Sequence, residues 1–563
     1  MQPTIVPSLQ RKMVRCFLGL ALALGLLAPG QAQQAPETPV SLFGEVIDVR
    51  VVNLEVVVTR GGERVTGLGP QDFVLSVDGK ETPIEYFTEV HGGTAAVRGD
   101  ETQVATMPAL APGTPVSTSY LLFVDEYFTV APHRNRVLRG LVEQLPQLNP
   151  EDRMAVVAFD GKKLEMLSTW SQSIEALTRV LEAATERPAY GLQRLAEQRS
   201  FEATREILGR RSGVLDGDPR RLDRTRLDVE EEQQAEILAR QVKRVTLAAS
   251  SALRGFANPP GRKVLLLMSG GWPYNPASWV TGDLALAALA SNVPYGEELY
   301  EPLVATANRL SYTVYPVDVQ NETYDPTDVE RASVDPQFDR DVLFNRLQDE
   351  RTSLNVIAEE TGGQAVLGGA RTAALERAAA DTRTYYWIGF TPDWKGDDAS
   401  HRVDVKARDR KLKVRSREGF TDLSRQTEVS MMVESSLLFG GAPAASPLFA
   451  EVGAAAKAGR GKVQVPLTVI VPVSELTFLP QEGRYLAELE LRIAVQDETG
   501  SLSDVPVVPM TVALDESPKE GELRRYETVV KMRRKKHDLV VSLYDVASGK
   551  ILSTRLEVDP KTN

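Results

Sequence analysis

Three short apolar runs punctuate the middle of the chain: YLLFVDEYFT at 120–129, KVLLLMSGGW at 263–272 and TVYPVDV at 313–319. Continuous runs of this length, separated by segments of helical period, are the pattern of strands buried on both faces of a parallel sheet. The intervening stretches supply the rest of the layer. Val137, Leu138, Leu141, Val142 and Leu145 share one helical face. Residues 154–168 read as two strands joined at Asp160-Gly161, followed by a helix capped by Ser171 or Ser173. Further helices are expected at 351–360 and 372–382, with a short strand at 361–367 between them. Residues 185–251 are rich in Arg, Glu and Gln, and read as a helical insertion whose second half is one long amphipathic helix.

On either side the period changes to two. Val52, Leu54, Val56 and Val58 alternate, as do Phe73, Leu75 and Val77, and Asp78-Gly79 is a hairpin signal, so 46–90 is a small β unit. Strand patterning returns over 384–421, and again over 462–563, where repeated alternation and turns at 498–500 and Ser548-Gly549 predict a C-terminal β-sandwich. Residues 91–118 and 422–461, rich in small residues, read as linkers.

With 563 residues the chain has material for several cores, roughly three or four domains. A formal net charge of -12 and a pI of about 5.2 argue against a nucleic-acid partner held through phosphates. Arg11, Lys12 and Arg15, the apolar run 17–28 and small residues up to Ala32 predict a signal peptide at 1–32, followed by a linker at 33–45. The mature protein is then expected outside the cytoplasm, periplasmic or extracellular, with no membrane span. Its single cysteine, Cys16, lies in the signal, so no disulfide is expected.

The order of elements over 119–383 resembles the von Willebrand factor A domain, a doubly wound α/β sheet with one antiparallel edge strand. The flanks VTGLGPQDFVLSVDGKETPIEYF and YYWIGFTPDWKGDDASHRVDVKARDRKLKVRSREGF resemble the secreted bacterial proteins called VWFA-related, common in Acidobacteria. The resemblance covers roughly 46–421 and implies a multidomain α/β plus β architecture. The small β units 46–90 and 384–421 are expected to pair into one sandwich, because neither is large enough for a comfortable core. The family often binds a divalent cation through D-x-S-x-S after the first strand, a hydroxyl in a second loop and an Asp after the fourth strand. Asp125 matches the first ligand and Thr129 the third, Thr169 or Ser168 is placed for the second loop, but Tyr127 and Gly270 replace two expected ligands. The resemblance therefore implies a degenerate site with at most weak Mg²⁺ or Mn²⁺ binding.

Catalytic chemistry leaves little trace. The histidines His91, His133, His401 and His537 are dispersed, and no nucleophile elbow, P-loop or zinc-protease motif is present. No enzyme activity is expected. The expected function is protein binding, as adhesion or scaffold, through a loop face made of Asp125, Tyr127, Thr129, Ser269, Trp272 and Tyr274. The alternative is a structural envelope-assembly protein whose C-terminal sandwich makes the main contacts.

Overall fold

Alternate residues of the strand Thr118–Asp125 point to opposite faces of a five-stranded sheet, and all eight are buried. The structure is a computed structural model, and it describes residues 51–96, 113–211, 229–256, 259, 261–282, 287–288, 292–319, 336–439, 446–481, 483–500, 502–503 and 505–560. The expected signal peptide 1–32 and linker 33–45 lie outside the described residues, as do parts of 91–118, 185–251 and 422–461. Among the described residues, no helix is long and apolar enough to cross a membrane.

The central sheet runs Tyr312–Asp318, Arg262–Ser269, Thr118–Asp125, Arg153–Phe159, Leu164–Ser171, with the last strand antiparallel. Tyr120, Leu122 and Val124 share a core with Val137 and Leu141 of the helix Ala131–Gln144, Leu177 of Ile174–Thr185 and Leu375 of Ala374–Thr382. On the other face, Leu121 and Phe123 join Val242 and Val245 of Val229–Gly255 and Leu299 and Leu303 of Glu297–Arg309. Helices on both faces explain why the strands carry apolar residues without alternation. Ser173 caps its helix by accepting from the Ala176 amide at 3.2 Å. The strand expected at 361–367 shrinks to one bridge, Val317 to Val366. There the chain passes so close to the sheet that a Cβ on Gly363 would lie 1.8 Å from the Val314 carbonyl oxygen.

The two flanking β units form one two-sheet body. Val52–Arg60 pairs antiparallel with Tyr385–Phe390, Val52 opposite Phe390, and Phe73–Val77 pairs with Ser400–Ala407, Val77 opposite Val403. Leu54, Val56, Phe73, Leu75, Phe87, Tyr386 and Ile388 fill the space between the sheets. This body is tied to the central sheet by charge as well as packing. Buried Arg262 pairs with Glu55 at 2.7 Å, and Asp381 receives Arg64, Arg415 and the Tyr315 hydroxyl.

The C-terminal region packs a sheet centred on Arg484–Asp497 and His537–Asp545 against one centred on Lys462–Pro472 and Leu523–Arg533. One expectation is corrected here. Much of the segment read as a linker at 422–461 is the helix Arg425–Phe439, buried on two sides. Its Val429, Val433 and Leu437 pack on Ala494, Val540 and Tyr544 of the sandwich, while Leu438 enters the core of the α/β unit.

Candidate functional site at the carboxyl end of the central sheet

Ligands of doubly wound sheets sit where loops leave the carboxyl ends of the strands, and Asp125 is the last residue of such a strand. Its side chain turns back into its own loop. Oδ1 accepts the Tyr127 and Phe128 amides, both at 2.9 Å, and Oδ2 accepts the Trp272 indole N–H at 2.7 Å. Burial pushes the Asp125 carboxyl up to about 6, against the pull of the Trp272 N–H, the loop amides and the nearby Arg194 guanidinium.

The residues present do not fit a divalent cation at this point. Both Asp125 oxygens face donors already, and the Thr129 hydroxyl donates to the Asp125 carbonyl oxygen. Tyr127 packs against Gly161, where a Cβ would lie 2.4 Å from the ring. Thr169 is in the wrong place. Its neighbour Ser168 pairs with Val156, while the residue opposite Asp125 is Phe159. At ~3.3 Å per residue, Thr169 is roughly 10 Å down the sheet and one strand further out, and its side chain is exposed. Gly270, the position of the missing acidic ligand, has no room for any side chain, since a Cβ would fall 2.3 Å from the Phe128 carbonyl oxygen.

The expected binding face is also corrected. Asp125, Thr129, Ser269 and Trp272 are each 0% exposed, and Tyr127 and Tyr274 are half-buried. The cover is the first turns of the helix Gly191–Arg211. The Tyr190 amide donates to Glu126 O at 2.8 Å, the Gly191 amide to Thr129 O at 3.0 Å, and the Arg194 guanidinium lies 3.5 Å from the Phe128 ring centre. A second cover is the helix Pro336–Glu360, whose Ser353 hydroxyl donates to Trp272 O at 2.6 Å.

Sequence reasoning missed the polar supports of this end. Glu126, beside Asp125 but directed elsewhere, pairs with Arg187 at 2.5 Å and lies 3.8 Å from the buried Arg134. Arg134 in turn donates to the carbonyls of Thr185, Arg187 and Pro188, which fixes the entry to the covering helix. Asp349 accepts the Asn275 amide at 3.0 Å, and burial pushes its carboxyl up to about 7 despite the Asn275 and Tyr274 amides. No local motif announces these groups, because the partners lie far apart in sequence. Above them is a cleft of about 280 Å³ lined by Arg194, Glu197, Phe201, Ile237, Gln241 and Trp279 among others. Its walls mix apolar and charged groups.

No protein-family model and no curated protein sequence matches the chain. Solved structures match segments of it at low overall similarity. A calcium binding mutant of Bacteroides uniformis beta-glucuronidase 2 is 13% identical over 22% of this chain and 14% of its own, with a TM-score of 0.15. The TFIIH p34 N-terminal domain is 10% identical over 47% of this chain and 97% of its own, with a TM-score of 0.18. The SpRpn10 VWA domain is 11% identical over 39% of this chain and 96% of its own, with a TM-score of 0.15. At these scores the likenesses carry no argument about activity or partners.

Proposed function

We propose that the chain is an exported, non-catalytic protein-binding protein built on a von Willebrand A-type domain, and that it binds through the helices that cover the carboxyl end of the sheet. The observation that carries this reading is exposed apolar side chains on those covers, Leu192 and Phe344, and beside them, Ile237 of Val229–Gly255 and the loop residue Tyr295. Leu192, Ile237, Tyr295 and Phe344 are 63%, 40%, 59% and 60% exposed. Ile237 lines the cleft, and the helix that carries Phe344 reaches it through Arg346, which lies 4.8 Å from the ring centre of the cleft residue Trp279. An exposed apolar side chain in a polar-rimmed cleft, with others on the elements around it, is the feature a protein contact would use. Ser269, at the carboxyl end of its strand, is buried and its Oγ has no hydrogen-bond partner, hence no base beside it, among the described residues, which supports a binding role over a nucleophilic one.

The test is retention of envelope proteins by the purified wild-type chain and by the Ile237→Glu/Phe344→Glu double variant. A partner held by the first and released by the second, with unchanged melting temperature, is expected; identical retention would reject the reading. A second reading, contact through the C-terminal sandwich, is favoured by Phe449 and Leu523, both 54% exposed and set opposite Ile470 and Pro472 on one strand. Phe449→Glu/Leu523→Glu is the matching variant, and the two pairs distinguish the surfaces.

A further inference from the structure

Away from the central sheet, three segments of the flanking sandwich bring a histidine and two carboxylates together. One ligand atom from each of Asp397, His401 and Asp422 lies within 4.8 Å of the other two. The ladder explains the meeting. His401 sits opposite Phe420 and their rings stack at 5.0 Å, and the Asp422 amide donates to Ala399 O at 2.9 Å, so the strand ends run side by side into the 395–398 loop.

Two independent features make this a cation site. Asp422 is 2% exposed; its Oδ2 accepts the Lys395 and Gly396 amides at 2.6 and 2.9 Å, but its Oδ1 is buried with no hydrogen-bond partner. A buried carboxylate oxygen left without a donor is costly, and a cation held by the same carboxylate and its neighbours would relieve it. His401 is also prepared. Its Nδ1 lies 2.8 Å from Asp78 Oδ2, and Asp78, whose Oδ1 accepts the Arg402 amide at 2.9 Å, acts as the acceptor. Nδ1 then carries the proton, leaving the Nε2 lone pair for a ligand, which is how carboxylates orient metal-binding histidines. Asp397 contributes an exposed carboxylate whose Oδ1 accepts the Ala399 amide at 3.1 Å. Asp398 is excluded, because both of its oxygens serve Ser424 and Thr427 at the start of Arg425–Phe439.

We propose that Asp397, His401 and Asp422 bind one first-row divalent cation, with Zn²⁺ the preferred ion and Asp78 a positioning residue. One imidazole and two carboxylates suit a borderline cation such as Zn²⁺ or Mn²⁺ better than Ca²⁺, which takes six to eight oxygens. Closing from 4.8 Å to the spacing of ligands ~2.1 Å from Zn²⁺ asks for contraction, and the exposed Asp397 is the side chain free to supply it. The ion would join the 395–398 loop to both strand ends beside the helix that continues to the C-terminal sandwich. Its role is thus structural, outside the binding surface proposed above.

The experiment is calorimetric titration of the chelator-stripped full chain with Zn²⁺, Mn²⁺ and Ca²⁺, with Co²⁺ absorption reporting a nitrogen ligand. One equivalent of Zn²⁺ is expected to bind, with affinity at least tenfold lower in Asp397→Ala, at an exposed position, and in His401→Gln, each with unfolding followed to check that the fold is kept. Asp78→Asn should weaken binding by about 10- to 100-fold. No saturable Zn²⁺ binding, binding unchanged in Asp397→Ala, or tighter binding of Ca²⁺ than Zn²⁺ would overturn the assignment.

Discussion

Trp272 donates its indole N–H to Asp125 Oδ2 at 2.7 Å across 147 residues of sequence, and both side chains are fully buried. The contact fastens the loop after one central strand to the loop after its neighbour. It also occupies the oxygen that a metal or partner at this end of the sheet would use. Trp272→Phe keeps most of the packing and removes the donor, leaving a buried carboxylate oxygen unsatisfied. Urea unfolding at pH 7 should show a loss of about 1–3 kcal/mol.

The Asp349 carboxyl gives a pH signature. Its folded pKa of about 7 lies above the ordinary aspartate value of 3.8, so between these values the folded state holds a proton that the unfolded state releases. Stability from this group is therefore full below pH 4 and is lost as pH rises toward 7. Asp349→Asn removes the titration. Relative to wild type, the variant should gain stability steadily between pH 4 and pH 7 in denaturant unfolding; the Asp125 carboxyl, raised to about 6 in both proteins, lowers the stability of each as pH rises and cancels from the difference.

Gly270→Asp places a carboxylate where the A-domain pattern carries one. The Cβ would meet the Phe128 carbonyl oxygen at 2.3 Å, so the loop must move before any ligand set can form. Overpacking of this kind costs about 1–3 kcal/mol, and this variant should fall at the upper end. Thermal unfolding should show the loss, with no added stabilisation from Mg²⁺.

Glu55 faces the buried Arg262 at 2.7 Å and accepts the Thr313 hydroxyl at 2.6 Å, joining the sandwich to the central sheet. Glu55→Ala strands a buried guanidinium and should cost about 3–5 kcal/mol in chemical unfolding. Glu55→Gln, which keeps an acceptor for Thr313, should cost less.

The mixed α/β and β character was legible because burial on two faces and on one face leave different periods, as in Tyr120 to Val124 against Val52 to Val58. The helix Arg425–Phe439 was not. Its apolar positions Val429, Val433 and Leu437 keep helical spacing, but Ser435 and Ser436 made the stretch look like a linker, and their hydroxyls are satisfied within the helix by Met431 O and Met432 O. At the candidate site, topology located Asp125, while the cover was hidden. Gly191–Arg211 has no clear apolar stripe, and it is held through backbone amides and the Arg194 guanidinium over Phe128. The Asp78, His401 and Asp422 convergence was equally invisible, since Asp78 and His401 are 323 residues apart.

The most direct test of the proposed binding surface is photo-crosslinking from position 237 in cells that produce the chain, with Met166, 48% exposed on the edge strand, as the control position. The account predicts a discrete protein adduct from 237 that is absent from 166 and is lost when Phe344→Glu is added. Equal adducts from both positions, or an adduct from 237 that survives Phe344→Glu, would contradict it.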